Sequence, residues 1–168
     1  MNSVLEVAKV ASFDIEQYLS KNPFTVGVIN VENNKLYQKE DIDLLWIYKN
    51  SKEDGIKRIE IKGDRYHKTG NIFIETISNM NKNTLGCFIY TKADYIFYYF
   101  VEIKKLYILP MPLTRDWFLN NTKRFPLKTL STTIRGFDVY CSQGRTVPIN
   151  TLIKEVEGIR IIDLGEKI

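Results

Sequence analysis

Cysteine and histidine are scarce in this chain of 168 residues. The two cysteines, Cys87 and Cys141, lie far apart and lack the spacing of a metal-binding motif, so we interpret them as reduced packing residues. The one histidine, His67, lies in a polar loop. Because no second histidine is present to support it, the sequence argues against a histidine-centred catalytic mechanism.

Long apolar segments are also missing. The longest one, residues 95–101, is far shorter than the roughly 20 residues that a membrane-spanning helix needs. Near the N-terminus, Glu6 and Lys9 interrupt the apolar residues, which excludes the apolar stretch of a signal peptide. We therefore expect a cytoplasmic protein without a membrane partner.

The remaining composition is typical of one globular domain that is rich in β-structure. Ten Tyr, nine Phe and two Trp favour strands. The net charge of +4 permits a polyanionic partner such as DNA without requiring one. We predict a single domain over residues 1–168, with a core over about residues 1–110 and a C-terminal extension over residues 111–168.

The order of the predicted elements indicates an α/β or α+β fold. Apolar residues at helical spacing predict a first helix over residues 3–19, and Ser3 with Glu6 forms a capping box. Later helices are predicted after Thr114 and over residues 148–156, whereas residues 122–133 look basic and irregular. Strands are predicted at residues 24–31, 41–48, 57–62, 72–77, 95–101, 105–109, 137–141 and 159–164.

A row of charges interrupts one of these strands. Side chains alternate between the two faces of a strand, so Arg58, Glu60 and Lys62 share one face while Ile59 and Ile61 occupy the other. A strand in the middle of a sheet normally avoids such a row, because isolated buried charges are unfavourable. The pattern therefore indicates a functional site, with a solvated charged strand face as the open alternative.

The preceding strand carries carboxylates at its start. Asp41 and Asp43 share a face there by the same alternation, although Asp41 is better explained by a turn than by metal binding. If the two strands pair, Asp43, Glu60 and Lys62 converge. Two carboxylates can hold Mg²⁺ (or Mn²⁺) beside a scissile phosphate, and a lysine can orient the attacking water and stabilise the developing negative charge.

Asp43 followed by Glu60-Ile61-Lys62 resembles the D…(D/E)-x-K signature of the PD-(D/E)XK nuclease superfamily, which includes restriction endonuclease-like and Holliday-junction-resolvase-like enzymes. The upstream helix and the strand–turn–strand setting also resemble the α-β-β-β core of that superfamily. The resemblance covers roughly residues 1–110, with Ile42 where the signature has proline. It implies a restriction-endonuclease-like core, with a central mixed β-sheet flanked by helices, and a metal-dependent DNA endonuclease, encoded by a phage or mobile element. Such domains commonly act in pairs, so a homodimer is expected from the same analogy.

Two further acids are candidates for supporting this centre. In the family, an acid in the first helix often adds a metal ligand, and Glu16 is preferred here over Glu6 because Glu6 has a role in the capping box. Glu75 interrupts the apolar strand over residues 72–77, which we expect next to the Glu60 strand. Glu75 is therefore a candidate catalytic residue, with ordinary edge-strand polarity as the open alternative.

Polar and basic residues elsewhere are candidates for DNA contact. Lys68 and Asn71 lie in a polar loop that suits phosphate contact. A second group of basic residues either follows a nucleic-acid backbone or forms a solvated face, and both interpretations stay open. This group contains Lys123, Arg124, Lys128 and Arg135.

Two other classes of function remain as alternatives. A non-catalytic nucleic-acid-binding module that retains the nuclease fold would bind DNA without cutting it. A protein-interaction domain would show no DNA binding at any salt concentration.

Overall fold

The computed structural model describes residues 3–134 and 137–165, without the side chains of residues 132–139. The helices are α1 (Val4–Lys21), α2 (Lys35–Gln38), α3 (Cys87–Tyr90), α4 (Leu113–Asn121) and α5 (Ile149–Glu155). The strands are β1 (Thr25–Asn30), β2 (Leu44–Lys49), β3 (Asp54–Asp64), β4 (Asn71–Asn79), β5 (Thr84–Leu85), β6 (Tyr95–Phe100), β7 (Lys105–Pro110), β8 (Leu127–Ile134), β9 (Phe137–Pro148) and β10 (Arg160–Asp163). Short 3-10 turns cover His67–Thr69 and Thr122–Arg124. None of the helices in the described part of the chain combines the length and the apolar character that crossing a bilayer requires.

Helix α1 begins at the predicted capping box. The Ser3 hydroxyl accepts a hydrogen bond from the Glu6 N–H at 3.2 Å, and the Glu6 carboxylate accepts one from the Ser3 N–H at 2.6 Å. Both contacts satisfy N–H groups that a helix start leaves without an intrahelical partner. Asn22 ends the helix directly before Pro23, because a residue that precedes proline disfavours the helical conformation.

The chain divides into two units. The first contains the residues up to Thr69, Lys92–Met111 and the chain from Gly158 onward. The second contains Gly70–Thr91 and Pro112–Glu157. The boundary predicted near residue 110 lies close to a point where the chain passes from the first unit to the second, between Met111 and Pro112. The C-terminal part of the chain nevertheless contributes to both units, because β10 belongs to the first unit's sheet.

A six-stranded sheet organises the first unit, with the strand order β1-β2-β3-β6-β7-β10. Strands β3 and β6 run parallel, and the other neighbouring pairs are antiparallel. A parallel pair needs a long crossover between its strands, and residues 70–91 of the second unit lie within that connection. The predicted α/β class with a mixed sheet is thus confirmed.

Helix α1 covers one face of this sheet. Its apolar stripe packs against the apolar face of β3, where Ile59 and Ile61 lie, and against inward side chains of β2, β6 and β7. The fully formed cluster contains Ala11, Ile15, Leu19, Leu44, Ile59, Ile61, Phe97, Tyr99, Leu106 and Ile108. Burial of apolar surface stabilises such a layer by about 25 cal/mol per Å², so this cluster holds α1 on the sheet. The opposite face of β3 carries the charged row.

The second unit contains a four-stranded antiparallel sheet with the order β5-β4-β9-β8. Helix α3 packs beside β4, and α5 follows β9. Gly144 allows close approach of neighbouring strands, since a Cβ there would lie 2.4 Å from the carbonyl oxygen of Ile74. The sheet is therefore closely packed around the centre of β9.

Two expectations about strands are wrong. Residues 122–133 are not irregular, because β8 starts at Leu127 and pairs along its length with β9, which supplies hydrogen bonds from a distant part of the chain. The strand that carries Glu75 does not lie next to the Glu60 strand either. β4 pairs with β5 and β9, while β2 and β6 are the neighbours of β3. Strand β6 is buried along nearly its whole length, so it takes the central place that β4 was expected to hold.

Gly63 provides a test of the packing between α1 and β3. A Cβ at position 63 would lie 2.9 Å from the Ala11 Cβ and 3.1 Å from the Val7 carbonyl oxygen, so α1 has to move away. We expect Gly63→Ala to lower the free energy of unfolding by about 1–3 kcal/mol, as overpacked sites do. Urea denaturation measures the change. Gly27→Ala is the control, because a Cβ at position 27 meets nothing within 4 Å. Equal urea midpoints for the two variants would contradict the close approach of α1 to β3.

Candidate metal-binding site

The pairing of β2 with β3 brings Asp43 beside Glu60. In the antiparallel register, Leu44 lies opposite Ile59. Asp43, which precedes Leu44, therefore faces Glu60, which follows Ile59. The Asp43 N–H donates to the Ile59 carbonyl at 2.9 Å. The Asp43 carboxylate in turn accepts a hydrogen bond from the Ile61 N–H at 2.7 Å. Two backbone contacts therefore fix Asp43 on the charged face of β3.

Glu60 is the most deeply buried of the predicted site residues. Its relative exposure is 3%. The Lys62 ammonium lies 2.8 Å from Oε1 of Glu60, and this lysine side chain is 36% exposed. Oε2 of Glu60 is also buried, but it has no hydrogen-bond partner among the described residues. A buried carboxylate oxygen without a partner is unfavourable unless a cation or another donor reaches it.

Burial dominates the electrostatics of both carboxyls. It raises the pKa of Glu60 well above the ordinary value of 4.5, and the charges of Asp43 and Asp41 raise it further, while Lys62 lowers it. Burial also raises the pKa of Asp43, against the lowering effects of the Ile61 hydrogen bond and the Lys62 charge. The pair therefore favours bound positive charge, either as protons or as a metal ion.

Asp41 reaches the site from a turn and not from a strand. Its φ of 54° is left-handed, a conformation that aspartate tolerates better than most residues, and β2 begins only at Leu44. The expected strand alternation between Asp41 and Asp43 is therefore wrong. One carboxylate oxygen of Asp41 still lies within 4.8 Å of one of Glu60. A turn therefore brings this third acid to the centre, whereas strand alternation was the reason expected for its position.

Helix α1 carries Glu16 in a separate network of hydrogen bonds. Oε1 of Glu16 accepts from the Asn30 amide at 2.7 Å and from the Ser12 hydroxyl at 3.4 Å. Ser12 also donates to Glu32 at 2.8 Å, and the charge of Glu32 raises the pKa of Asp43. Glu32 was not among the predicted residues. The sequence could have indicated Glu32, because it is an acid that follows the end of the apolar strand β1. A side chain at the end of a strand can point towards a site.

The remaining predicted residues are spread over both units. Lys68 is exposed in the 3-10 turn of the first unit, which follows β3. Glu75 and Asn71 lie on β4 of the second unit. Asp43, Glu60 and Lys62 belong to the first unit, and these three residues are brought together as expected.

The predicted basic group lies around the 3-10 turn and β8 of the second unit. Arg124 is held by Glu155 through two contacts of 2.7 and 2.8 Å. Lys123 and Lys128 are exposed. Arg135 lies outside the described residues. In the described part of this group, one arginine is therefore ion-paired and two lysines are exposed to solvent.

Comparison of the chain with protein-family models, curated proteins and solved structures finds no match. Its functional interpretation consequently rests on the chemistry of the site itself.

The raised pKa of Glu60 has a consequence for the pH dependence of stability without metal. The folded state holds this proton more tightly than the unfolded state, so unfolding free energy falls as pH rises above about 4.5 and levels off above the folded pKa. In EDTA at pH 7, we expect the free energy of unfolding of Glu60→Gln to exceed that of the natural chain by about 1–3 kcal/mol, because position 60 no longer carries a buried charge. Urea titrations from pH 4.5 to 8 measure the difference.

Glu157→Gln is the matched control, since Glu157 is exposed. It should keep the pH dependence of the natural chain. If Glu60→Gln shows the same fall in stability with rising pH, burial of the Glu60 charge is not what makes the folded protein sensitive to pH.

Proposed function

We propose that this chain is a divalent-metal-dependent DNA endonuclease that hydrolyses phosphodiester bonds, with Asp43, Glu60 and Lys62 at its centre. The observation that carries the proposal is the buried Oε2 of Glu60, which lacks a hydrogen-bond partner among the described residues. This oxygen lies in a group of three acids with one ammonium. The arrangement supports a site built to receive a cation.

Asp43 and Glu60 have the donor chemistry for Mg²⁺ or Mn²⁺, because hard cations prefer carboxylate oxygens. When bound, such an ion stabilises negative charge on phosphate oxygens and increases the acidity of a bound water. The chain's own contribution is to hold the carboxylates. The Ile61 N–H orients Asp43, and the Lys62 ammonium orients Glu60. Asp41 and Glu32 add negative charge around this pair and so increase its preference for a cation.

Lys62 is the residue that would interact with the reacting groups. Its ammonium is tied to Glu60 at one end of a partly exposed side chain, so a phosphate oxygen or the attacking water can reach it. A positive charge fixed at that point stabilises the negative charge that develops on phosphorus-bound oxygens. The ion pair with Glu60 keeps the ammonium in place before substrate arrives.

The arrangement of elements supports the same proposal. Helix α1 is followed by β1, β2 and β3, with the single-turn helix α2 between β1 and β2, and this order is similar to the α-β-β-β core of the restriction-endonuclease-like enzymes. Asp43 directly precedes β2, and Glu60 and Lys62 lie on β3. We therefore extend the proposal to the fold: the first unit has a restriction-endonuclease-like core.

Cleavage of DNA tests the proposal directly. With Mg²⁺ or Mn²⁺, the protein should cut linear, circular or branched DNA, and EDTA should abolish cutting. We expect Asp43→Asn, Glu60→Gln and Lys62→Met each to reduce the rate by at least about 100-fold, since each removes a group that acts on the reacting atoms. Product formation on labelled DNA measures the rates.

Lys57→Met is the control for Lys62→Met. Lys57 lies on the same strand, but alternation places it on the face that α1 covers. It should retain activity within a few-fold. Salt-dependent DNA binding by the natural chain without metal-dependent cutting would instead identify a non-catalytic DNA-binding module.

A further inference from the structure

Arg58 is the remaining charged residue of the row on β3. It lies two residues before Glu60, and Lys62 lies two residues after Glu60, so all three side chains project from one face at intervals of about 6.5 Å. The order along the strand is positive, negative, positive. Across the sheet, Arg58 is level with Leu45 on β2, while Asp43 is level with Glu60.

Asp94 holds the Arg58 guanidinium in one orientation. Its Oδ2 accepts from the Arg58 backbone N–H at 2.7 Å and from Nε at 3.2 Å, and its Oδ1 accepts from an NH2 group at 3.0 Å. These contacts take only two of the five N–H donors of the guanidinium. The side chain is 44% exposed, so solvent reaches it although Asp94 holds it.

This geometry differs from that of an arginine used only to join two strands. The Asp94 N–H donates to the Arg58 carbonyl at 2.8 Å, so backbone hydrogen bonds already join β3 to the segment before β6. A guanidinium fixed along one edge with donors left over on the other suits a planar, bidentate anion contact. Asp94 already balances the charge of Arg58, and the charge of Glu40 also acts on it, so the guanidinium would attract a phosphate mainly through its remaining N–H donors.

From these observations we propose that Arg58 binds a phosphate of the DNA strand adjacent to the scissile one. This role rests on the proposed nuclease function. A nucleic-acid strand carries a phosphate on every nucleotide, so separate phosphates of one strand can reach the two partly exposed cations of the row, Arg58 and Lys62. Arg58 is thus a substrate-binding residue, and the chemical step is performed by Asp43, Glu60 and Lys62.

Kinetics and binding of Arg58→Met and Arg58→Lys test this role. With a labelled 30-base-pair duplex and Mg²⁺, we expect Arg58→Met to raise KM about 10-fold and to leave kcat within about threefold, since a contact away from the reacting atoms contributes equally to bound substrate and transition state. Fluorescence anisotropy with Ca²⁺ in place of Mg²⁺ measures DNA binding at several salt concentrations. For Arg58→Met, the slope of log affinity against log salt concentration should be smaller in magnitude by about 1 than for the natural chain. Arg58→Lys keeps the charge but loses the planar fork, so it should recover the slope but only part of the KM.

Arg160→Met is the matched control. Arg160 is an exposed arginine of the same sheet, and its guanidinium lies 5.9 Å from the centre of the Tyr95 ring. It should behave like the natural chain. If the natural chain cuts DNA and Arg58→Met has the same KM and salt slope as Arg160→Met, the role of Arg58 is overturned while the nuclease function stands. If the natural chain neither cuts nor binds the duplex, the nuclease function itself fails, and the role of Arg58 fails with it.

Discussion

The two faces of β3 impose opposite demands on one strand. Ile59 and Ile61 are packed under α1, with Gly63 allowing the helix backbone to come close. This packing fixes which face of β3 is turned towards α1. Because side chains alternate along a strand, Glu60 must then lie on the opposite face. A slip of one residue in the register would put charges under α1 and isoleucines beside Asp43. The apolar layer therefore determines where the charges are, although none of its side chains belongs to the site.

The charged face is costly for the metal-free protein. The charges of Asp43 and Asp41 act on the buried carboxyl of Glu60, and the ammonium of Lys62 is the compensating charge among the groups that act on it. Protonation can relieve the repulsion in solution, and a divalent cation can relieve it more completely, since one ion interacts with several oxygens at once. Stability and the proposed activity thus depend on the same electrostatic imbalance.

Local sequence patterns were enough to predict those features of the fold and of the site that depend on neighbouring residues and on adjacent strands. The capping box of α1, the hairpin of β6 and β7, and the approach of Asp43 to Glu60 all follow from short-range rules. Asp41 was expected beside Asp43 from strand alternation, but a left-handed turn places it there. Glu32 was beyond those rules, because it lies after the end of a strand. The position of β4 was also beyond them. From their apolar sequences, β4 and β6 are equally suited to pair with β3. In the structure β6 is the partner, and a long crossover connects it to β3.

Backbone groups supply much of the precision of the proposed site. Asp43 is oriented by the N–H of Ile61, and Asp94, which holds Arg58, is itself held by the N–H of Arg58. Both N–H groups belong to β3, so their positions are set by the same strand that carries Glu60 and Lys62. Side chains anchored in this way lose little further freedom when a cation or a phosphate binds, which favours tight positioning of the reacting groups. The strand consequently acts as a rigid template, and the spacing of its residues sets the spacing of the charges that a DNA strand would meet.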